Sequence, residues 1–253
     1  LEKAQHRLAE TATDQNAVVP SFVEWRNSPD NFRSPGISTM AAVGNLEEGT
    51  PWREAGSRNS KGCGSVMRTA PIGFYYQDEP ERMREASHAV GAATHANPAA
   101  DAACLAATVS AALAFREVPL AEWLPRVCEA TRGVSAEFDE TVARLGKAAA
   151  LPDEGEAQRL AAAKYGGWTA DEVWATALLG VLRHPDDFEA CVLSVVNTGG
   201  DSDSIGCVAG ALQGARLGAA AIPERWRAGV ERSADLLELA DRLHAARASN
   251  NAT

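Results

Sequence analysis

Apolar residues recur mostly three and four positions apart along the chain, and alternating β-branched runs are scarce, so the pattern predicts an all-α protein. Helices are expected over residues 18–25, 40–48, 79–95, 99–115, 121–131, 137–149, 169–182, 186–196, 203–217 and 230–247, with a further one ending near Phe74. Several boundaries have a local cause. Asn27-Ser28-Pro29 closes the first helix, and Ser34-Pro35-Gly36 turns the chain toward the second. Pro98 restricts Asn97, Thr169-Ala170-Asp171-Glu172 reads as a capping box, and Pro185-Asp186-Asp187 sets acids at a helix start. Residues 53–63 are polar and punctuated by glycine, as a binding loop would be. Residues 151–155 read as a surface connection across which composition does not change, so residues 1–253 are expected to form one domain.

Composition narrows the function. Of 253 residues, 24 are Lys or Arg and 34 are Asp or Glu, and the net charge of −10 argues against a nucleic-acid partner. A nucleotide ligand remains compatible, since metal ions or backbone amides can hold a phosphate locally. The five cysteines are scattered without a C-x-x-C pair, which points to small core residues in a reducing, cytoplasmic setting. No apolar run reads as a membrane span, and the charged opening Leu1-Glu2-Lys3-Ala4-Gln5-His6-Arg7 does not read as a signal peptide, so no membrane partner is expected. Asn251-Ala252-Thr253 matches a glycosylation triplet by chance. The sequence assigns no oligomeric state.

The densest concentration of chemistry is Asn197-Thr198-Gly199-Gly200-Asp201-Ser202-Asp203-Ser204-Ile205-Gly206. Residues two apart diverge on a helix, so Asp201 and Asp203 can face one ion only from a helix-start loop. Gly199 and Gly200 permit that loop, with Asp201 as N-cap and Asp203 and Ser204 in the first turn. Carboxylate and hydroxyl oxygens suit hard cations, with water, substrate hydroxyls or distant acids completing the shell. A double-acid helix cap explains the same residues, and local spacing does not choose between the two. A helix-loop-helix calcium loop is excluded, because Ile205 is no ligand and its twelfth position is Leu212. Gly206, Gly210, Gly214 and Gly218 then form one stripe, which predicts a close neighbouring helix.

A second turn, Gly62-Cys63-Gly64-Ser65-Val66-Met67-Arg68, offers clustered amides and a hydroxyl to a phosphate or ribose oxygen, without P-loop spacing; a tight turn with helix entry is the reading its local sequence favours. Arg68 is expected to meet a ligand or pair with an acid. His95 stands among polar groups in Thr94-His95-Ala96-Asn97-Pro98, whereas His88 reads as a boundary residue. Trp168 and Trp174 are expected in the core.

Taken in order, Gly62-Cys63-Gly64-Ser65-Val66-Met67-Arg68-Thr69-Ala70-Pro71-Ile72-Gly73, Thr94-His95, Gly199-Gly200-Asp201-Ser202-Asp203-Ser204-Ile205 and Gly210-Ala211-Leu212-Gln213-Gly214-Ala215 resemble the ADP-ribosylglycohydrolase family. Ser38-Thr39-Met40 and Ile222-Pro223-Glu224-Arg225-Trp226 add to the likeness, which runs from Val18 to Trp226. The resemblance implies an all-α fold and two divalent cations, Mg²⁺ or Mn²⁺, in a cleft for ADP-ribose. It implies Asp201 and Asp203 as catalytic residues, and Asp201, Asp203 and Ser204 as metal ligands, with serine in place of the family's usual threonine. Gly62, Cys63, Gly64, Ser65 and His95 would bind the substrate. The implied activity is removal of ADP-ribose from a modified protein side chain or a small ADP-ribosyl conjugate. The alternative is a catalytically inactive homologue with a binding, structural or regulatory role. The family's opposing acidic motif has no counterpart here: Ala12-Thr13-Asp14-Gln15 carries one acid in the wrong context, and the non-Met start leads to the expectation of a further upstream segment.

Overall fold

A computed structural model describes residues 15–29, 31–162 and 164–250. The Leu1 to Arg7 stretch, Ala12 to Asp14 and the 251–253 triplet lie outside the described residues. Fourteen α-helices and no strand occur among them. The helices are α1 (Gln15–Arg26), α2 (Ile37–Glu47), α3 (Trp52–Ala55), α4 (Ala70–Tyr75), α5 (Pro80–Ala92), α6 (Pro98–Phe115) and α7 (Trp123–Thr131). They continue with α8 (Ala136–Ala150), α9 (Glu154–Ala161), α10 (Ala170–Arg183), α11 (Phe188–Val196), α12 (Ser202–Leu217), α13 (Glu224–Gly229) and α14 (Ser233–Asn250).

Helix α6 is the axis. Asn97 caps it by accepting from the Ala99 amide at 2.9 Å, and Pro98 occupies its first turn. Its alanines are buried on every side, and α4, α5, α7, α10 and α12 pack around it. Small residues make these approaches possible: a Cβ on Gly73 of α4 would stand 2.3 Å from the Thr108 carbonyl oxygen. Contrary to the sequence reading, this 18-residue helix is long and apolar enough to cross a membrane by length and composition. Its apolar surface is instead covered by neighbouring helices, with 83% of the window buried.

The predicted helices form, with informative shifts. The helix expected to run through residue 95 stops at Ala92, because the next residues leave to pair with the 53–63 loop: Ser57 and His95 form a parallel bridge, and the Ala96 amide donates to the Ser57 carbonyl at 3.0 Å. Gly56 makes this possible, since a Cβ there would lie 2.0 Å from the Ala92 carbonyl oxygen. The surface connection expected at 151–155 instead starts α9, where Asp153 caps the Glu156 amide at 2.6 Å and Ala157 and Ala161 bury against α8 and α10.

The glycine stripe of α12 does face a close neighbour, α11. Gly206 is the tight point, its missing Cβ 2.6 Å from Val196 Cγ1, while Gly210 and Gly214 face the Phe188 ring and Gly218 ends the helix at φ 78°. Thr169 occupies the N-cap position of α10, but its hydroxyl makes no cap bond and has no hydrogen-bond partner. Glu172 turns away from the predicted capping box for a reason visible at the site.

Candidate active site

The acidic turn is shaped by backbone before any side chain acts. Gly199 adopts φ 77°, which favours glycine, and a Cβ on Gly200 would fall 2.0 Å from the Gly166 carbonyl oxygen. That carbonyl accepts the Asp201 amide at 3.2 Å. The turn thereby rests on the loop that precedes α10. Asp201 takes the N-cap position of α12 as expected, but its carboxylate does not cap the helix. Oδ2 accepts the Cys63 thiol at 2.8 Å, and the Ser204 hydroxyl donates to Cys63 Sγ at 3.3 Å. One thiol therefore joins two motifs that are 138 residues apart.

Asp201 and Ser204 are buried, whereas Asp203 is exposed at the rim. Burial raises the Asp201 pKa, and the hydrogen bond from Asp201 lowers that of Asp203. Burial, followed by the Asp201 carboxylate, pushes the Cys63 thiol up to about 12. Cys63 is thus a neutral hydrogen-bonding strut at ordinary pH, not a thiolate nucleophile.

The second turn comes from a 3₁₀ helix, Cys63–Arg68. Its lead residue Gly62 bridges antiparallel to Thr169, and the Ala170 amide donates to the Lys61 carbonyl at 2.9 Å. Gly62, Cys63 and Gly64 line a cavity of about 1240 Å³ together with His95, Asp201, Asp203 and Ser204. Ser65 is brought near but faces inward: it is fully buried, and its hydroxyl donates to the Gly62 carbonyl at 3.3 Å. Its observed contact fastens the turn from beneath.

His95 is buried against the bare faces of Gly62 and Gly64, whose missing Cβ atoms would each stand 3.2 Å from the imidazole. Burial, then the Arg68 charge, lowers its pKa to about 4, so the ring is neutral. Among the described residues Arg68 pairs with no acid. Its guanidinium donates to the carbonyls of Gly64 at 2.9 Å and Val90 at 2.7 Å and to the Thr94 hydroxyl, and stacks over Phe22 at 4.9 Å.

Sequence reasoning missed two residues here. Trp168, expected in the core, is 62% exposed and lines the cavity; Trp174 alone is buried, donating to the Ser110 hydroxyl at 3.2 Å. Glu172, wholly buried, accepts the backbone amides of Lys164 (2.9 Å), Tyr165 (3.0 Å) and Gly167 (3.0 Å) and faces Arg144. It holds the loop that carries Trp168 and offers the Gly166 carbonyl to Asp201. Beside Asp171 in the first turn of α10, Glu172 reads as an ordinary helix-start acid, and the sequence carries no signal for this role. The cavity's other end is apolar, walled by Phe22, Trp25, Ile72, Tyr75 and Leu243 among others. Ser38 and Thr39 also reach the cavity, whereas Trp226 packs on Phe188 away from it.

This convergence of an acidic turn, a glycine turn and His95 can be set beside known proteins. The sequence profile described as ADP-ribosylglycohydrolase matches residues 3–253. The chain belongs to the ADP-ribosylglycohydrolase family. An uncharacterized protein from Archaeoglobus fulgidus is 32% identical over 218 residues, covering 85% of this chain and 68% of the relative. ADP-ribosylhydrolase ARH1 from Dictyostelium discoideum is 30% identical over 125 residues, covering 45% of this chain and 32% of its own. A solved structure of an ADP-ribosylglycohydrolase-related protein complex superposes with a TM-score of 0.76 at 26% identity, over 96% of this chain and 78% of the other. Family membership supports a hydrolase-like function and an ADP-ribosylated substrate as the general kind of partner.

The oxygens of Asp201, Asp203 and Ser204 fit one face of a hard-cation site. Carboxylate and hydroxyl oxygens gathered at one helix start on the cavity wall are the donor types a hard cation takes. Among the described residues no group of three or more His, Cys, Asp or Glu side chains surrounds a common point.

Proposed function

We propose that the protein hydrolyses the bond between C1 of the distal ribose of an ADP-ribosyl group and the nitrogen or oxygen of its acceptor, a protein side chain or a small conjugate. The observation that carries this reading is the placing of Asp201, Asp203 and Ser204 on the same cavity wall as Gly62, Cys63, Gly64 and His95. Mg²⁺ or Mn²⁺, two ions by the family's pattern, would supply Lewis acidity and a more acidic bound water.

Each residue has a separable task. Asp201, Asp203 and Ser204 would hold the cations, with Asp203 the exposed member of the three. Cys63 keeps Asp201 aimed by donating its thiol proton. Gly62 and Gly64 let diphosphate or ribose oxygens approach the backbone, and neutral His95 offers a ring nitrogen without adding charge. The C1–acceptor bond breaks, the acceptor leaves with a proton, and water oxygen bonds to C1 to give free ADP-ribose. Asp203, exposed and on the cavity wall, would take the proton from the attacking water.

The test is release of ADP-ribose from ADP-ribosyl-arginine, ADP-ribosyl-serine and O-acetyl-ADP-ribose with Mg²⁺, Mn²⁺ or EDTA. Turnover of at least one conjugate should need a divalent ion. Binding of ADP-ribose without turnover of any conjugate would favour the inactive-homologue reading instead.

A further inference from the structure

Arg68, half-buried and itself on the cavity wall, also connects to His95 through Thr94, and the direction of the hydrogen bonds along that path is fixed by chemistry. Arginine only donates, so Arg68 Nη2 occupies one lone pair of Thr94 Oγ1. The Thr94 hydroxyl proton then has two acceptors within reach, His95 Nδ1 at 2.8 Å and the Gly91 carbonyl at 3.5 Å. The nearer is much the better bond. Donation there makes Nδ1 an acceptor and leaves the ring proton on Nε2.

Nε2 lies on the ring edge that faces Gly62, 3.2 Å from where a Cβ would be, and His95 lines the cavity there. Among the described residues Nε2 has no hydrogen-bond partner in the protein. The bare faces of Gly62 and Gly64 leave the approach to it open.

We infer that Arg68 and Thr94 are positioning residues that lock His95 in its Nε2–H tautomer, so that it presents a neutral hydrogen-bond donor to an anionic or hydroxyl oxygen of the ligand in the cavity. Two things follow from the same arrangement. Arg68 also ties the Gly64 carbonyl to the Val90 carbonyl at the end of α5, so the donor and the glycine turn beside it are set by one side chain. The donor also keeps its polarity across the physiological range, because burial and then the Arg68 charge oppose a second proton. The assignment of the tautomer stands on geometry alone; the identity of the oxygen it meets rests on the ADP-ribose reading above.

The experiment is long-range ¹H–¹⁵N correlation of the histidine rings in the full chain, run on wild type, Thr94→Val and Thr94→Ser, with ADP-ribose affinity measured calorimetrically on the same samples. Wild type should show a protonated Nε2 and an unprotonated Nδ1 on His95. Thr94→Val should populate the other tautomer and weaken ADP-ribose on the order of tenfold, and Thr94→Ser should restore both. A wild-type His95 protonated on Nδ1 overturns the inference whether or not the variants fold, and so does a Thr94→Val protein with the wild-type tautomer. If wild type has the expected tautomer but does not bind ADP-ribose, the lock stands and the ADP-ribose reading fails.

Discussion

The turn at residues 199–201 and the turn at residues 62–65 both bring bare backbone to the cavity, but glycine is needed in them for opposite reasons. In the acidic turn the constraint is behind the site: Gly199 needs φ 77°, and Gly200 lies against the Gly166 carbonyl. In the other turn the constraint is in front: Gly62 and Gly64 leave room for His95 and for whatever enters the cavity. One turn spends its glycines on holding charge still, the other on leaving space. Damage to the first should therefore appear as lost stability, and damage to the second as lost affinity.

The largest expected effect breaks the first turn. Gly200→Val places a side chain into a backbone carbonyl that has no room to move, and should cost about 3 kcal/mol or more in denaturant titration. Gly64→Ala meets only the Thr39 hydroxyl at 3.1 Å and the His95 ring at 3.2 Å, both side chains. It should cost less than about 1 kcal/mol in stability while weakening ADP-ribose. Equal destabilisation by the two would erase the distinction.

Next in size is a pH effect from the wall behind Gly62. His95 titrates near 4 in the folded chain against 6.5 for a free ring. The unfolded chain therefore binds more protons between those values, and stability falls as pH drops from 6.5 toward 4. The contribution is about 3 kcal/mol at full extent, and it should be absent in His95→Gln. Urea titrations from pH 7 to pH 4 on both proteins read it out directly.

Glu172→Gln should be milder on stability, about 2 kcal/mol, because an amide oxygen still accepts some of the three loop amides. Its consequence should reach the acidic turn through the Gly166 carbonyl, raising the metal concentration needed for half-maximal turnover. A stability loss without that change would make Glu172 a local anchor only. Smallest in stability is Trp168→Ala, within about 0.5 kcal/mol since the ring is 62% exposed. If the ring stacks on ligand, the same variant should lose about tenfold or more in ADP-ribose affinity.

Helix positions were legible where burial of one face imposes a three-to-four residue spacing, as in α7 with Trp123, Val127 and Thr131 and α8 with Phe138, Thr141, Leu145 and Ala148. The acidic turn was legible for a different reason: two acids two apart beside Gly199 and Gly200 make sense only at a helix start. What sequence did not reveal depends on contacts between distant segments. Cys63 was expected at the substrate from its glycine turn and the family resemblance, and only folding sets its thiol on Asp201. Ser65 had the right chemistry to face a ligand, yet the 3₁₀ winding of Cys63–Arg68 directs it into the core. Trp168 and Trp174 share a composition that says core, but Trp168 precedes α10 in a loop tied down by Glu172, which keeps it on the cavity wall. Arg68 was expected to meet an acid or a ligand, and instead its acceptors are two carbonyls and a hydroxyl.

The claim that the acidic turn is the reactive half of this cavity is tested most directly by the rate of ADP-ribose release from the best conjugate at saturating Mn²⁺, compared between wild type and Asp203→Ala. Asp203 is exposed and supports no packing, so the variant should unfold within about 0.5 kcal/mol of wild type while turnover falls by about a hundredfold or more. Turnover at the wild-type rate in a folded Asp203→Ala protein would contradict it.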